Sequence, residues 1–302
     1  AIGEVAFHTP RWYPQVRQTV AYPASTVSDL ARDRGGRIIT VGQRGTFQPF
    51  APDVAMVYDV ADAGGLSVLF PKDYDRFLRL IDDYGRFAEE FNAAPPLASG
   101  DKLASPLLDA LDVRTVMAER NISIPSQYRR LVPAEVEPWV YERRAPGAAL
   151  VVAAARPATE EGMWAAVAAP GWAPAASAAV VGLEQDVTGT GGTVTGGPRS
   201  SDRERWEVDA PAGGFLRVGA RWDPGWSARV DGAAAKVLRA DGIFRGVVVP
   251  PGRHTVDFSY RNPEEMRGRL LAGAALLALL ALVVPVPRNP RPRVNRSADG
   301  GV

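Results

Sequence analysis

Apolar positions follow two different rules along this chain, and the change falls near residue 187. Before it, helical and strand-like spacings alternate. Residues 25–34 predict a helix, and Arg-Ile-Ile-Thr-Val-Gly at 37–42 predicts a short strand. The clearest periodicity spans residues 72–91. There Tyr74, Phe77, Leu78, Ile81, Tyr84, Ala88 and Phe91 recur at three- and four-residue steps with charges between them. Pro71 suits the start of this helix, and Pro95 and Pro96 follow its end. Residues 107–116 form another apolar stretch, Trp139-Val140-Tyr141 reads as a strand, and 150–155 read as a buried strand. A short helix is expected over 160–168.

A Thr- and Gly-rich stretch at 187–197 marks the change and suits a linker, although its Val and Thr also permit a strand. Short β-rich runs follow at 205–208, 215–222, 228–230, 235–239, 244–249 and 254–260. Between them sit Asp223-Pro224-Gly225, Asp231-Gly232, Asp241-Gly242 and Pro251-Gly252. Each is a turn sequence with a steric reason, Pro fixing φ and Gly accepting positive φ. Strands at this spacing predict a compact antiparallel sandwich. The fold class expected is therefore α+β: a mixed α/β part over 1–186, then an antiparallel β-sandwich over 187–263.

A third pattern closes the chain. Residues 270–286 are seventeen in a row without a charge and without the polar stripe of a helix packed on a globular core. At about 1.5 Å per residue they reach roughly 25 Å, near the short end for a hydrocarbon core. Arg267 and Arg269 precede the run, and Arg288, Arg291, Arg293 and Arg296 follow it. The expectation is a transmembrane helix over 266–287 and a basic tail over 288–302, with the lipid bilayer as partner. The positive-inside tendency places the tail in the cytoplasm and the large region outside. Ala1 is followed by no signal-peptide pattern, so an outside location expects exporting sequence upstream, whereas a chain starting here would be tail-anchored with its large region cytosolic.

Composition narrows the chemistry. Net charge is +1, which gives no electrostatic footprint for nucleic acid. There is no cysteine, so disulfides, Cys-ligated zinc and thiol catalysis are excluded. The two histidines, His8 and His254, lack metal-ligand spacing, and His254 reads as a turn or surface residue. Asp82-Asp83 and Glu89-Glu90 read as the solvated face of the 72–91 helix rather than an acid/base pair. Residues 189–197 lack the Lys-Ser/Thr ending and following helix of a phosphate-binding loop. No catalytic residue, metal ligand or cofactor is therefore expected. The most distinctive local feature is Trp222-Asp223-Pro224-Gly225-Trp226 with Arg221 beside it. Two indoles and a guanidinium suit stacking on sugars, and they equally suit a structural corner that caps the sandwich.

The stretch from Gly214 to Gly232, with its Trp-Asp-Pro-Gly-Trp corner and Val-Asp-Gly hairpin, resembles the C-terminal signature of YfhO-like bacterial membrane proteins. Asp241 to Tyr260, followed by an apolar helix, continues the likeness, as do Ser105 to Val113 and Tyr141-Glu142. The resemblance implies a polytopic protein similar to GT-C type glycosyltransferases. Such proteins use a polyprenyl-phosphate-linked sugar to glycosylate cell-surface polymers. This chain would be the non-catalytic extracytoplasmic C-terminal portion of such a bacterial cell-membrane protein, with acceptor handling at Arg221, Trp222 and Trp226. The alternative is a membrane-anchored, non-catalytic module that binds glycan or protein.

Overall fold

The computed structural model describes residues 25–42, 54–64, 71–85 and 95–283. The chain divides into two compact units, Ala1–Tyr260 and Arg261–Val302. The first unit opens with helix α1 (Thr26–Arg34), strand β1 (Arg37–Val41), helix α2 (Val54–Val57), strand β2 (Ala61–Asp62) and helix α3 (Lys72–Ile81). Next come helix α4 (Pro106–Ala110) and strands β3 (Val113–Ala118), β4 (Arg129–Arg130), β5 (Trp139–Glu142), β6 (Ala149–Val152) and β7 (Ala154–Ala158). Helix α5 (Glu160–Ala168) leads into β8 (Ser177–Val181), β9 (Val187–Thr188), β10 (Thr193–Ser200), β11 (Arg203–Ala210) and β12 (Gly214–Arg221). The unit closes with β13 (Trp226–Val230), β14 (Ala233–Ala235), β15 (Leu238–Ala240), β16 (Phe244–Val249) and β17 (Gly252–Tyr260).

Local chemistry explains the boundaries. The Ser25 hydroxyl caps α1 by accepting from the Ser28 amide, and Gly35 ends it at φ 59°. Ser105 and Thr159 cap α4 and α5 in the same way. Helix α3 buries Phe77, Leu78 and Ile81 but stops at Asp82, where the backbone turns extended. The expected helix over 72–91 is thus shorter, and residues 86–94 lie outside the described ones. Asp82 consequently leaves the solvated face assigned to it. It is buried and its carboxylate accepts the Ala98 amide at 2.8 Å. Tyr84, past the helix end, still packs in the core and donates its hydroxyl to Asp75 at 2.7 Å.

Among the described residues three sheets form, and the fold is mixed α/β with sheet predominating. The first is mixed, in the order β2-β1-β3-β5-β4. The second is antiparallel, β10-β11-β17-β13-β14. The third runs β6-β12-β16-β15-β8-β7-β9 and is antiparallel except where β7 pairs with β8. It takes strands from both sides of residue 187, so the stretch at 187–197 is strand on two sheets. The 150–155 run likewise splits at Ala153, with β6 paired to β12 and β7 to β8. Hairpins close at Asp231-Gly232 (φ 50° and 83°) and Asp241-Gly242 (φ 46° and 84°). Two successive left-handed residues match the right-handed twist of the flanking strands.

The second and third sheets pack face to face. Trp206, Val208, Val256 and Phe258 on one side meet Leu216, Val218, Val247 and Val249 on the other. The opposite face of the third sheet is covered by the helical first part. There Phe77 of α3 meets Phe244 edge-on at 5.2 Å, beside Met163 and Trp164 of α5.

Two arginines are buried at the centre of this arrangement. Arg245 on β16 is 1% exposed and reaches across the sandwich to Glu204 of β11 at 2.5 Å. Its other terminal nitrogen donates to the Arg221 carbonyl at 2.8 Å. Arg217 on β12 faces the other way and meets Asp241 at 2.8 Å, both groups being buried. The Asp241 carboxylate also accepts the Ala179 amide at 2.9 Å. Burial pushes the Asp241 pKa up against the opposing pull of Arg217. Burial likewise lowers that of Arg245, against the opposing charge of Glu204.

The second unit carries helix α6 (Pro263–Val283), whose residues from Gly268 to Leu279 are all exposed, Leu271 at 72%. The expected membrane span is not recovered: among the described residues no helix is long and apolar enough to cross a membrane. Glu264, Glu265 and Arg269 charge its first turns. The apolar remainder from Leu270 to the helix end at Val283 reaches only about 21 Å against a hydrocarbon core of about 30 Å. Residues 284–302, the end of the apolar run and the expected tail, lie outside the described ones.

Breaking the buried inter-sheet pair from one side leaves an uncompensated guanidinium. Glu204→Gln should therefore lower stability by about 3 kcal/mol, read as a lower urea midpoint at unchanged slope. Pairing it with Arg245→Met should recover most of that loss. A single variant as stable as the parent protein would show that the pair does not hold the sheets in register.

Candidate functional site

The Trp222–Trp226 corner joins β12 to β13 across the edge of the sandwich. Asp223 builds the turn: its carboxylate accepts the Gly225 amide at 2.8 Å and its carbonyl the Trp226 amide at 3.1 Å. Pro224 fixes φ at the bend. The Trp222 amide donates to the Ile243 carbonyl at 2.6 Å, which ties the end of β12 to the start of β16.

The two indoles then meet different surroundings. Trp226 stacks under the buried Arg245 guanidinium, 3.8 Å from ring centroid to Cζ. It lies edge-on to Phe258 at 6.5 Å and tilted against Tyr260 at 5.2 Å, both on β17. This indole is therefore engaged by one guanidinium and two aromatic rings. Trp222 is half-buried, and the Arg239 guanidinium lies 5.9 Å from its ring. Arg239 is itself held by Asp73 of α3 at 2.8 Å, Glu160 of α5 at 3.4 Å and the Gly242 carbonyl at 2.6 Å. Arg221 is exposed, and its backbone carbonyl accepts from Arg245. Burial, then the Asp223 carboxylate, push the Tyr260 hydroxyl pKa up, so it stays a neutral hydrogen-bonding group.

The three residues singled out from sequence thus share one corner with separate duties. Trp226 anchors the corner to the core, while Trp222 is half-buried beside Arg239 and Arg221 is exposed. Sequence reading missed Arg245, Glu204 and Tyr260 as the supports. A signal existed for the first: an arginine stands inside Phe-Arg-Gly-Val-Val-Val, a run that is otherwise almost wholly buried. Arg217 interrupts Gly-Phe-Leu-Arg-Val in the same manner. The corner offers indole faces and guanidinium donors, the chemistry of recognition. Among the described residues no cluster of His, Asp and Glu is placed to hold a metal ion.

His8 and the Glu89-Glu90 pair lie outside the described residues. His254 clamps the β13–β14 hairpin to β17. Its Nδ1 lies 2.6 Å from the Asp231 carboxylate and its Nε2 lies 3.2 Å from the Pro251 carbonyl. With an oxygen acceptor at each ring nitrogen, only the imidazolium satisfies both. The other Asp231 oxygen accepts the Thr255 amide at 2.8 Å. The Asp231 hydrogen bond holds the His254 pKa above its ordinary value, with burial opposing it, and the same bond holds that of Asp231 below.

The sign of the pH dependence follows. His254 contributes stability fully below its unfolded pKa of about 6.5, and that contribution is lost as pH rises through the elevated folded value. Asp231 contributes above its unfolded pKa and loses its share as pH falls through the depressed one. From about pH 6 to about pH 9 the unsubstituted protein should therefore lose more thermal stability than His254→Gln. Parallel Tm–pH curves for the two proteins would contradict the clamp.

No family model, curated protein or solved structure matches this chain, so the tryptophan corner rests on its own geometry.

Proposed function

We propose that this chain is the extracytoplasmic C-terminal portion of a polytopic, YfhO-like membrane protein of the GT-C glycosyltransferase type. In this reading the parent protein transfers sugar from a polyprenyl-phosphate carrier to a cell-surface polymer. The present segment handles the acceptor without catalysing the transfer. One observation carries the proposal: an apolar helix with exposed residues from Gly268 to Leu279 follows directly on a folded sandwich. In water such a helix exposes leucines at 58–72% around its circumference, a cost that contact with hydrocarbon removes. The apolar sequence continues beyond Val283 to Val286, and a bilayer that thins locally accommodates a short apolar span.

Connectivity supports acceptor handling. Only Arg261 and Asn262 stand between Tyr260, the ladder partner of Trp226, and Pro263, the first residue of α6. The tether therefore attaches at the strand end that carries the tryptophan corner. Tethering a polymer-binding corner beside a lipid-linked donor raises effective concentration without any new contact.

The absence of cysteine makes topology directly measurable. In intact cells, Thr195→Cys on exposed β10 should react with a membrane-impermeant maleimide, judged against the unsubstituted protein. Ser297→Cys should react only after permeabilisation. Labelling of both before permeabilisation would remove the span, and protection of Thr195→Cys would remove the outside location.

The corner separates binding from folding. Trp222→Ala should weaken polymer binding in co-sedimentation about fivefold to tenfold, the worth of one stacked aromatic, with Tm unchanged. Trp226→Ala should lower stability by about 3 kcal/mol through lost packing. Unaltered binding by Trp222→Ala would leave the corner purely structural.

A further inference from the structure

A concavity lies on the first sheet, away from the tryptophan corner in the strand order. It measures about 400 Å³ and is lined by Gln127, Tyr128, Arg129, Glu142, Arg143 and Arg144. That volume falls in the range of small-ligand sites.

Its wall is built rather than incidental. Arg143 is 7% exposed, and its guanidinium donates to the carbonyls of Leu103 at 3.2 Å, Val113 at 3.3 Å and Ser105 at 3.3 Å. It also meets the Asp109 carboxylate at 2.8 Å. These bonds tie β5 to the α4 segment and use the whole fork, so Arg143 gives the cleft a fixed cationic floor. The Tyr128 hydroxyl donates to the Leu103 carbonyl at 3.0 Å, which orients its ring at the rim.

The remaining charges are unequal. Arg129 grips one Glu142 oxygen from two nitrogens, at 2.6 and 3.0 Å, and Arg34 approaches the other at 3.9 Å. Those bonds, led by Arg129, hold the Glu142 pKa below the ordinary carboxylate value, so it stays ionised and engaged with its arginines. Arg144 is exposed and makes no ion pair or side-chain hydrogen bond among the described residues. Among the lining residues Arg129, Arg143 and Arg144 stand against Glu142, and Asp109 pairs with Arg143 from outside the lining, which leaves a net positive cleft. A concave surface of that sign focuses an attractive field on anions.

We propose that this cleft is an oxyanion-binding site, taking a phosphoryl or carboxylate group of a polyhydroxylated ligand. Arg144 supplies the free two-pronged donor for that group, and the outer edge of Arg129 supplies a second. The planar guanidinium fork matches both kinds of oxyanion. Gln127 and the unused lone pairs of Glu142 are placed to meet ligand hydroxyls. The site is independent of the membrane reading, because it uses only residues of the first unit.

Calorimetric titration of the full chain in detergent tests it, using inorganic phosphate, glycerol 3-phosphate and glucuronate as separate probes. At least one probe should saturate, with affinity that falls as salt is raised. Arg144→Gln should weaken that binding at least tenfold with Tm unchanged. Arg129→Gln should weaken it further, since it also leaves Glu142 less neutralised. Preference for either phosphate probe assigns the oxyanion as phosphoryl, and preference for glucuronate assigns it as carboxylate. Failure of all three to saturate, or affinity unmoved by Arg144→Gln, would overturn the proposal. Thermal denaturation of both variants separates a binding loss from a folding loss.

Discussion

Arg217 and Arg245 sit diagonally across the β12–β16 ladder, where Arg217 opposes Gly246 and Val218 opposes Arg245. Directly opposed residues share a face, so the two guanidiniums point to opposite sides of the third sheet. Each must find a carboxylate there, because an unpaired charge at that depth costs several kcal/mol. Arg245 finds Glu204 on the second sheet, and Arg217 finds Asp241 in the hairpin before β16. Aromatic faces flank both guanidiniums. Arg217 lies 5.7 Å from Trp172 and 5.3 Å from Phe244, while Arg245 lies over Trp226. Gly246 has no alternative opposite Arg217, since a Cβ there would meet the Phe215 ring at 2.5 Å and the Leu216 carbonyl at 2.3 Å. A one-residue slip of β16 would put Arg245 on the wrong face. Register, sheet stacking and the seat of the tryptophan corner therefore depend on the same two ion pairs.

Elements whose determinants are local were legible in the sequence. Helices α1 and α5 announce themselves through caps and spacing, and the Asp-Gly hairpins through residues that tolerate positive φ. What failed to show was set by partners distant in the chain. The 150–155 run is one apolar block in sequence but two strands in space, because the chain changes neighbours at Ala153. The stretch at 187–197 suited a linker or a strand. Gly192 is a point of close approach, where a Cβ would fall 2.2 Å from the Asp209 carbonyl.

The candidate site was legible to the same extent. Turn chemistry located Arg221, Trp222 and Trp226, since Asp-Pro-Gly between two tryptophans has little choice of conformation. It did not separate the two indoles, whose roles depend on Arg245 and Tyr260, far along the chain. The oxyanion cleft was invisible for the same reason. Arg129 and Glu142 are paired by the β4–β5 ladder, and Arg143 is held by carbonyls from residues 103–113. No spacing rule connects those positions.

The acidic residues bear on function through where they are committed. Glu204 and Asp241 neutralise buried arginines, and Asp109 holds Arg143. Asp223 shapes the tryptophan turn, Asp231 clamps a hairpin, and Asp82 closes the end of α3. A carboxylate that acts as general base or nucleophile needs its lone pairs free toward a substrate. These carboxylates direct theirs into the fold. The half-buried Trp222 and the exposed Arg221 and Arg144 offer a flat ring and fixed positive charge. Such groups bind and orient a ligand but do not take a proton from it at neutral pH. That division between carboxylates engaged in the fold and exposed arginines is what the proposed recognition role requires.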